Sequence, residues 1–391
     1  SAYQPQARWT TNATKTATND TTLTIYIGAG VYETHGDCTA HGQALSWAPG
    51  NGWRIFGAGK DVTTLKAVDL RGGWPYRVNV IGGNGANGNL EIADLTLDAN
   101  IHEGGTNMNG QYAQGIYFKG SNVQIRRVKV KNCGSHMTGA EPAAINMQTF
   151  GSQFGESNLI LEDCDVGYPQ YGNAYRPDAI VVSGVYGTDQ TMRYYSNVVV
   201  RNCYVDGAAY DGNTAINPAL LPATERAAQG VGVGGTWGAV VEDNLILNTV
   251  SGYYLDSASM HDLTIRNNHF RNVLYGVVVG LGTTTQQTRR IEDAFRLENN
   301  LVELDPHFYT KGDTYGTYGW RYCLNFTGDL KGPDDYIFNK LIITNNTFQF
   351  TDQRSPDTNV AGITAVFTGF RTTELVNNTF RGMSRPVTWD N

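Results

Sequence analysis

The sequence has few charged residues, few cysteines and no long apolar segment, and each shortage excludes a class of protein. Only 17% of the 391 residues are charged and the formal net charge is -7, so neither nucleic acid nor an anionic membrane is an expected partner. No apolar run approaches the ~18 residues that a membrane-spanning helix needs. The five cysteines are an odd number without the spacing of a disulfide framework, so at least one is free or pairs between chains.

Helical periodicity is also missing, and in its place the chain repeats a short two-strand unit. From Asp262 to Val273 (DLTIRNNHFRNV), apolar and polar residues alternate with a period of two on both sides of a two-residue corner. Eight altered copies begin at Leu90, Asn122, Asn158, Asn197, Ala239, Phe295, Lys340 and Thr373. A third apolar run, usually led by glycine, precedes most copies. Three strands per repeat without intervening helices predict a parallel β-solenoid that buries one continuous core.

The second corner residue of each copy forms a column that ends in five asparagines. The column reads Leu95, Val128, Cys164, Cys203, Asn244, Asn268, Asn300, Asn346 and Asn378. Stacked coils place these side chains at the strand spacing of about 4.8 Å, so the amides would bond in a buried internal ladder. The alternative, a row of functional asparagines, requires an outward corner, which the flanking apolar positions disfavour. Cys164 and Cys203 lie within disulfide reach, but their parallel side chains favour buried free thiols.

Three features carry a family resemblance: the NNxF corners, the G-[IV]-x-[VF] strand before them, and the segment TIYIGAGVYET...WRIFGAGKDVTTLKA between residues 24 and 67. With these, residues 23–383 resemble the right-handed parallel β-helix proteins of the pectate-lyase-like superfamily. The resemblance implies an all-β, right-handed parallel β-helix of about nine coils, a secreted (extracellular or periplasmic) location and a polysaccharide partner. That superfamily includes polysaccharide lyases, glycoside hydrolases, sugar epimerases and phage tailspikes, so the fold does not settle the activity.

The repeats predict one elongated domain over residues 23–391, although the length alone would suggest two or three domains. Residues 1–22 are rich in Thr and Asn and aperiodic, and we expect a surface arm or cap. Residues 23–88 are expected to cover the open end of the first coil, because an exposed β-edge invites pairing with another chain. The segment HGDCTAH (35–41) could ligate a metal ion through His35, Asp37, Cys38 and His41, but an ordinary polar loop is the favoured explanation. The choice between monomer and homo-oligomer stays open.

Loop lengths predict the position of a binding trough. Long connections precede the third strand of the repeat at 98–113, 131–143, 167–178 and 206–229, and others follow it at 149–157, 183–196, 280–293 and 327–339. A purely structural solenoid has no need of such asymmetry, whereas two walls of loops flanking one strand face make a trough. We expect its centre over the strands that begin at Ala179, Gly230 and Gly252. The glycine-rich run 230–235 (GVGVGG) would leave room there for a ligand.

Ionisable and aromatic residues near this trough are the candidates for catalysis and substrate binding. The catalytic candidates are Arg176, Asp178, Asp211, Glu225, Arg226 and Tyr254. The substrate-binding candidates are Lys119, His136, Tyr168, Tyr171, Tyr175, Tyr210 and Asp256, since tyrosine rings suit sugars. Each residue also has an ordinary explanation, because loop tyrosines pack against scaffolds and loop cations are usually solvated.

Elimination from a uronic-acid polymer is the first reaction that these candidates suit. The enzyme must remove a weakly acidic proton next to a carboxylate, which needs a base and a cation, either Ca²⁺ or Arg. Residues of the required kinds are Arg176, Arg226, Lys119, His136 and Tyr254. We therefore expect a polysaccharide lyase, with no certain cofactor and with Ca²⁺ where the substrate is a polyuronate.

Hydrolysis and a non-catalytic role are the alternatives. Glycoside hydrolysis needs two carboxyl groups about 5 to 5.5 Å apart for retention or about 6.5 to 9.5 Å apart for inversion. Asp178 and Asp256 are too far apart in a regular helix, so Asp178 would pair with Asp211 or Glu225. The third reading is a non-catalytic glycan-binding or tailspike-like solenoid.

Overall fold

The computed structural model of the chain describes residues 23–35, 43–68, 77–82, 88–101, 112–135, 142–149, 155–167, 178–186, 192–208, 210–211, 214–215, 229–256, 259–280, 291–304, 321–327, 338–350, 360–366 and 370–390. Residues 1–22, predicted as an arm or cap, lie outside this range. Every regular element in the described part is a β-strand, and that part holds no helix able to cross a membrane.

Each coil contributes a strand before the corner, a strand after it and a third strand. The strands before the corner form sheet 1: β1 (Thr24–Tyr26), β4 (Arg54–Phe56), β12 (Glu156–Glu162), β17 (Tyr195–Arg201), β22 (Thr236–Glu242), β25 (Leu263–Arg266), β28 (Ile291–Glu298), β31 (Phe338–Thr344) and β34 (Phe370–Val376). Those after it form sheet 2: β2 (Gly30–His35), β5 (Thr63–Val68), β13 (Asp165–Gly167), β18 (Tyr204–Asp206), β23 (Leu245–Leu247), β26 (His269–Val273), β29 (Leu301–Leu304), β32 (Thr347–Phe350) and β35 (Thr379–Arg381). β7 (Leu90–Asp98) and β9 (Val123–Lys131) run through the corner and belong to both sheets.

The third strands form sheet 3, which carries the predicted trough. They are β3 (Gln43–Trp47), β6 (Arg77–Gly82), β8 (Tyr112–Lys119), β11 (Ala143–Gln148), β14 (Asp178–Ser183), β21 (Gln229–Gly234), β24 (Ser251–Asp256), β27 (Tyr275–Gly280), β30 (Arg321–Thr327), β33 (Val360–Val366) and β36 (Arg385–Asp390). Short antiparallel pairings involve β10 (Gly134–Ser135), β15 (Val185–Tyr186) with β16 (Met192–Arg193), and β19 (Tyr210–Asp211) with β20 (Thr214–Ala215). All neighbouring strands within sheets 1 to 3 pair in parallel, as β25 does with β22 in the preceding coil.

Eleven third strands stack in one path, so the described part contains eleven coils, numbered here 1 to 11 in chain order. The sequence repeat predicts about nine, because it identifies only coils 3 to 11. Residues 23–88 contribute coils 1 and 2, so the prediction that this segment only covers the first coil is wrong. Its corners lack the Asn pair and are held by Thr63 instead, whose hydroxyl donates to the carbonyl of Gly28 at 2.8 Å.

The core is a single apolar column enclosed by the three sheets. Inward residues from coil 1 to coil 10 belong to one continuous cluster, from Trp47 to Ala365. Phe295 and Phe326, from sheets 1 and 3, pack edge to face with ring centroids 5.7 Å apart. The alternating pattern of the repeat is therefore the pattern of inward and outward side chains.

The corners require a backbone conformation that Asn and Asp tolerate best. In the described part of the chain, eighteen non-glycine residues have a positive φ, and all of these except Arg127 are Asn or Asp. Their short polar side chains offset the cost of the left-handed region by local hydrogen bonding. In the pair Asn299-Asn300, the first residue turns the chain with φ 56° and the second points inward.

The five inward asparagines bond from rung to rung. Nδ2 donates to Oδ1 of the next asparagine between Asn244 and Asn268 (2.9 Å), Asn268 and Asn300 (3.0 Å), Asn300 and Asn346 (3.0 Å), and Asn346 and Asn378 (3.0 Å). The first four side chains are buried, but Asn378 is half-exposed because it lies in the last coil. The expectation that all five are buried is wrong for Asn378.

Two thiols continue this column toward the N-terminus. Cys164 and Cys203 are buried and free, as predicted, and the backbone N–H of Cys203 donates to Oδ1 of Asn244 at 2.9 Å. A hydrogen bond between the thiols lowers the pKa of Cys164 and raises the pKa of Cys203. The column is thus polar throughout coils 5 to 11.

Candidate functional site

The outer face of sheet 3 is the described part of the predicted trough. In β8, Ile116 and Phe118 point into the core, so Tyr117 and Lys119 point outward. The strand register places Tyr117 beside Asn146 and Lys119 beside Gln148 in the next coil. The same two outward rows continue through Val181 and Ser183 in β14, Gly232 and Gly234 in β21, and Tyr254 in β24. A ligand lying along this face would meet these rows coil by coil.

A polar cluster occupies coils 3 and 4 on this face, formed by Tyr117, Lys119, Asn146 and Gln148. The hydroxyl of Tyr117 donates to Oε1 of Gln148 at 3.1 Å, and Nζ of Lys119 lies 5.7 Å from the centroid of the Tyr117 ring. Asn146 is only 6% exposed, and its Oδ1 has no hydrogen-bond partner among the described residues. Such an acceptor is a group that a ligand hydroxyl can satisfy.

Gln114 is a second unsatisfied amide on sheet 3. It is fully buried at the start of β8, and both its Nε2 and its Oε1 lack a partner among the described residues. Leaving a buried amide unpaired costs about 1 to 3 kcal/mol, which a structural role does not explain. Gln114, Asn146 and Gln148 were absent from the sequence candidates. The strand register singles out Asn146 and Gln148 by placing them beside Tyr117 and Lys119, whereas Gln114 is singled out only by its burial without a partner.

Two of the predicted catalytic residues have described side chains. Asp178 begins β14 and is 5% exposed, with its backbone N–H bonded to the carbonyl of Pro142 at 2.7 Å. Tyr254 is half-buried and faces outward from β24, two coils further on. The register aligns Asp178 with Ser251, so Tyr254 lies three residues and two rungs away, about 14 Å between Cα atoms. The structure brings them to one sheet but not into contact.

The same register gives the separation of Asp178 and Asp256, the two carboxylates that a glycoside hydrolase could pair. Asp256 lies five residues beyond Ser251, which places its Cα about 16 Å along the strand and about 10 Å across the rungs from that of Asp178. This separation exceeds the range for glycoside hydrolysis, as the sequence predicts. The remaining pairings, of Asp178 with Asp211 or Glu225, involve side chains outside the described part of the chain.

Lys119, a predicted substrate-binding residue, lies in the polar cluster described above, and the other predicted residues lie wholly or partly outside the described part. Backbone strand positions are given for Tyr210 and Asp211 in β19 and for Asp256 at the end of β24. Wholly outside are Arg176, Glu225, Arg226, His136, Tyr168, Tyr171 and Tyr175. Of the HGDCTAH segment, only the backbone of His35 is described. The described residues include no group of three His, Cys, Asp or Glu that could hold a metal ion.

The glycine-rich run 230–235 was predicted to leave room for a ligand, but at two positions the glycine is required for another reason. A Cβ on Gly230 would lie 2.4 Å from Cγ2 of Ile246, and one on Gly235 would lie 2.1 Å from Cε of Met192. These glycines are required by close packing, so they do not make room for a ligand. Gly232 is the exception, because it faces outward in the same row as Tyr254.

The outer face of sheet 1 carries ion pairs between neighbouring coils. On its outer face Glu162 lies between Arg126 (3.4 Å) and Arg201 (2.6 Å), and Arg266 contacts Glu242 at 2.6 Å. Each is a cross-strand pair of opposite charges that stabilises neighbouring coils.

Several solved structures, among them the following three, resemble this chain over most of its length. The A-module of mannuronan C-5 epimerase AlgE4 from Azotobacter vinelandii has a TM-score of 0.55 at 14% identity, covering 99% of this chain and 94% of that one. The Streptococcus pneumoniae surface adhesin PfbA has a TM-score of 0.57 at 13% identity, with 95% and 87% covered. The Dettilon tailspike protein has a TM-score of 0.57 at 12% identity, with 91% and 61% covered.

This chain has the right-handed parallel β-helix fold of the pectate-lyase-like proteins. The predicted fold class is therefore confirmed. No protein-family model and no curated protein matches the sequence. At identities this low the likeness shows the fold alone, so the activity of the β-helix has to be argued from its own side chains.

Proposed function

We propose that the β-helix acts on a polysaccharide that lies along the outer face of sheet 3. The observation that carries this proposal is the polar cluster of Tyr117, Lys119, Asn146 and Gln148, with its buried, unsatisfied amide oxygen. Sugars offer many hydroxyl donors and flat ring faces, which suit amide acceptors and aromatic rings. An extracellular location belongs to the same proposal, since polymers of this kind are met outside the cell.

The substrate proposed is a uronic-acid polymer. Lys119 and Tyr254 lie four coils apart on the same face, about 19 Å at the strand spacing, so one extended oligosaccharide would touch both. The ammonium of Lys119 would bind a carboxylate of the polymer. Tyr254 is the described candidate for proton transfer, because it is half-buried on the outer face of sheet 3 and is the register neighbour of Gly232.

The proposed reaction is β-elimination, which begins when a base removes the proton next to the uronate carboxylate. The proton goes to the base, the leaving sugar oxygen departs with the bonding electrons, and a carbon–carbon double bond forms in the product. Epimerisation at C5 shares the first step, and the name of the similar Azotobacter vinelandii module supports chemistry of this kind. Hydrolysis is the alternative, and it would require Asp178 to pair with Asp211 or Glu225, whose side chains lie outside the described part.

A digestion panel tests the proposal. The protein would be incubated with polygalacturonate, alginate and other acidic polysaccharides, with and without EDTA to test for Ca²⁺. Ultraviolet absorbance reports the unsaturated uronate, a reducing-end assay reports any cleavage, and proton exchange at C5 in heavy water reports epimerisation. We expect absorbance and reducing ends to rise together. Reducing ends without absorbance would establish hydrolysis, and binding with neither would establish a non-catalytic role.

A further inference from the structure

An exposed aromatic platform lies at the turn between sheets 3 and 1, away from the outer face of sheet 3. Trp237 is 51% exposed, and its ring stacks on that of His261 with centroids 4.0 Å apart and planes 17° apart. Tyr194 meets both rings edge-on, at 5.0 Å from His261 and 6.0 Å from Trp237. Nδ1 of His261 lies 3.0 Å from Oδ2 of Asp293, which fixes the imidazole behind the tryptophan.

Among the described residues, His261 is the one ring that stacks on Trp237 face to face. His261 comes from the next coil, since its backbone N–H bonds to the carbonyl of Thr236, so it covers one side of the indole. On the other side the register places Ser196 beside Trp237 and Ser157 beside Ser196. Because Ser196 is small and Trp237 is half-exposed, the described residues on the coil 6 side leave the indole face uncovered.

A ladder of exposed amides runs beside these serines. Nδ2 donates to Oδ1 of the previous rung from Asn122 to Asn89 (3.0 Å), from Asn158 to Asn122 (2.7 Å) and from Asn197 to Asn158 (3.1 Å). The ladder stops at Gly238, next to Trp237, where the position above Asn197 has no side chain. Each amide still has unused hydrogen-bonding capacity toward solvent. The platform therefore stands at the end of a row of neutral donors and acceptors.

We propose that this surface, the aromatic platform of Tyr194, Trp237 and His261 with its adjoining Ser196 and Asn197, binds neutral sugar residues. A sugar ring has an apolar face for Trp237 and hydroxyl edges for the serine and amide groups. The carboxylates at its margins are engaged, Asp293 with His261 and Glu156 with Ser121. Recognition therefore depends on stacking and neutral hydrogen bonds. This site is independent of the uronate reaction proposed for sheet 3.

The platform is built to bind without rearrangement. Asp293 orients His261, His261 supports one face of Trp237, and Tyr194 packs edge-on against both, so little side-chain freedom remains to be lost on binding. The rungs below repeat at about 4.8 Å, so a glycan chain would meet a similar hydroxyl and amide pair at each coil. A neutral stretch of polysaccharide held here would keep the protein on its polymer while the trough acts elsewhere.

The test uses tryptophan fluorescence and calorimetry on the whole protein. The probes are soluble β-linked gluco-, manno- and xylo-oligosaccharides, with oligogalacturonate as the charged comparison. At least one neutral oligosaccharide should bind, and its affinity should be unchanged by salt, because no charge takes part. Trp237→Ala should weaken binding about tenfold or more, equivalent to about 1.4 kcal/mol. Ser196→Tyr should do the same by filling the space against the open indole face.

Tyr26→Ala is the matched control. Tyr26 is 79% exposed and stacks on Phe56 at 5.6 Å, but it lies in coil 1, far from the platform. It should leave binding unchanged. The proposal is overturned if none of the neutral oligosaccharides binds, if binding survives both Trp237→Ala and Ser196→Tyr, or if Trp237→Ala instead abolishes self-association, which would make the platform a protein interface. Activity on acidic polymers is measured in parallel, and its loss or retention does not bear on this site.

Discussion

Nδ2 of Asn300 donates to Oδ1 of Asn346, one coil further along the β-helix, at 3.0 Å. The same Nδ2 also lies 2.9 Å from the carbonyl of Ile265, and Oδ1 of Asn300 accepts from Asn268. A buried amide with partners on both sides ties three coils together, so its loss leaves polar groups unsatisfied on each side. The ladder is thus where the stability of the stack is most directly tested.

Asn300→Ala should lower the free energy of unfolding by about 1 to 3 kcal/mol, because the amides of Asn268 and Asn346 lose a partner inside the core. Asn378→Ala is the matched control in the same ladder. Its side chain is half-exposed, so water replaces the lost bonds and the cost should be smaller. Equal losses in urea unfolding of the two variants would contradict the assignment of the stabilisation to burial.

Cys203→Asn should extend the ladder by one rung and leave the protein as stable or up to about 1 kcal/mol more stable. The thiol of Cys203 already points at the carbonyls of Leu161 (3.9 Å) and Arg201 (3.3 Å), the positions that correspond to those bonded by Asn300. Cys203→Asp has the same shape without the donor and should be destabilising. If the unfolding temperature of Cys203→Asp equals or exceeds that of Cys203→Asn, a ladder of donated amide bonds is ruled out.

Gly252→Ala should destabilise the helix by about 1 to 3 kcal/mol through overpacking. The added Cβ would lie 2.4 Å from Cδ1 of Phe270 and 2.7 Å from the carbonyl oxygen of Gly276. Gly238→Asn is the comparison, because an atom added there meets nothing closer than Oδ1 of Asn197 at 3.8 Å and Asn tolerates its φ of 74°. We expect Gly238→Asn to be neutral, and a larger loss there than at Gly252 would refute the packing argument.

Tyr254→Phe should reduce turnover on the cleaved polyuronate about a hundredfold or more with little change in KM, because only the proton-transferring hydroxyl is removed. Lys119→Met should mainly raise KM, since it removes a cation that binds the polymer. The matched controls are Tyr204→Phe and Lys129→Met on the outer face of sheet 2, which should retain activity. Full turnover in Tyr254→Phe, or an equal loss in Tyr204→Phe, would remove Tyr254 from the mechanism.

The ion pair between Asp94 and Arg127 should make a small contribution to the free energy of unfolding that is lost at acidic pH. The hydrogen bonds from Arg127, at 2.6 and 2.8 Å, lower the pKa of Asp94 below its ordinary value of 3.8. A carboxyl whose pKa is lower in the folded state contributes stability above the unfolded pKa and loses it as the pH falls through the folded pKa. The pair is partly exposed, so its contribution should be below about 1 kcal/mol.

The measurement for this pair is urea unfolding of wild type and Asp94→Asn from neutral to acidic pH. Asn suits the left-handed corner at position 94, so only the charge is changed. The two curves should differ at neutral pH and converge below pH 3.8. Arg127→Asn should remove the same difference, and a double variant that is less stable than either single one at neutral pH would contradict a simple pair.

The repeat pattern was sufficient to predict the coils from Leu90 onward and the inward column that ends in Asn378. Period-two alternation reports which side chains enter the core, and the Asn pair reports a corner that only a few residue types can turn. Coils 1 and 2 were missed because Thr63 and glycines make their corners without that pair. A sequence pattern detects a repeat only where each copy turns its corner with the same types of residue.

The sequence by itself determined the fold class, because stacked coils are the one way to bury the alternating strands of so many similar units. Only the tertiary structure decided which outward residues become neighbours. Gln148 lies beside Lys119, and Trp237 lies on His261, through parallel strands whose register depends on the length and course of the loops between coils. That register brings residues 24 to 29 positions apart in the sequence into neighbouring coils. The periodicity within a single strand does not contain this information.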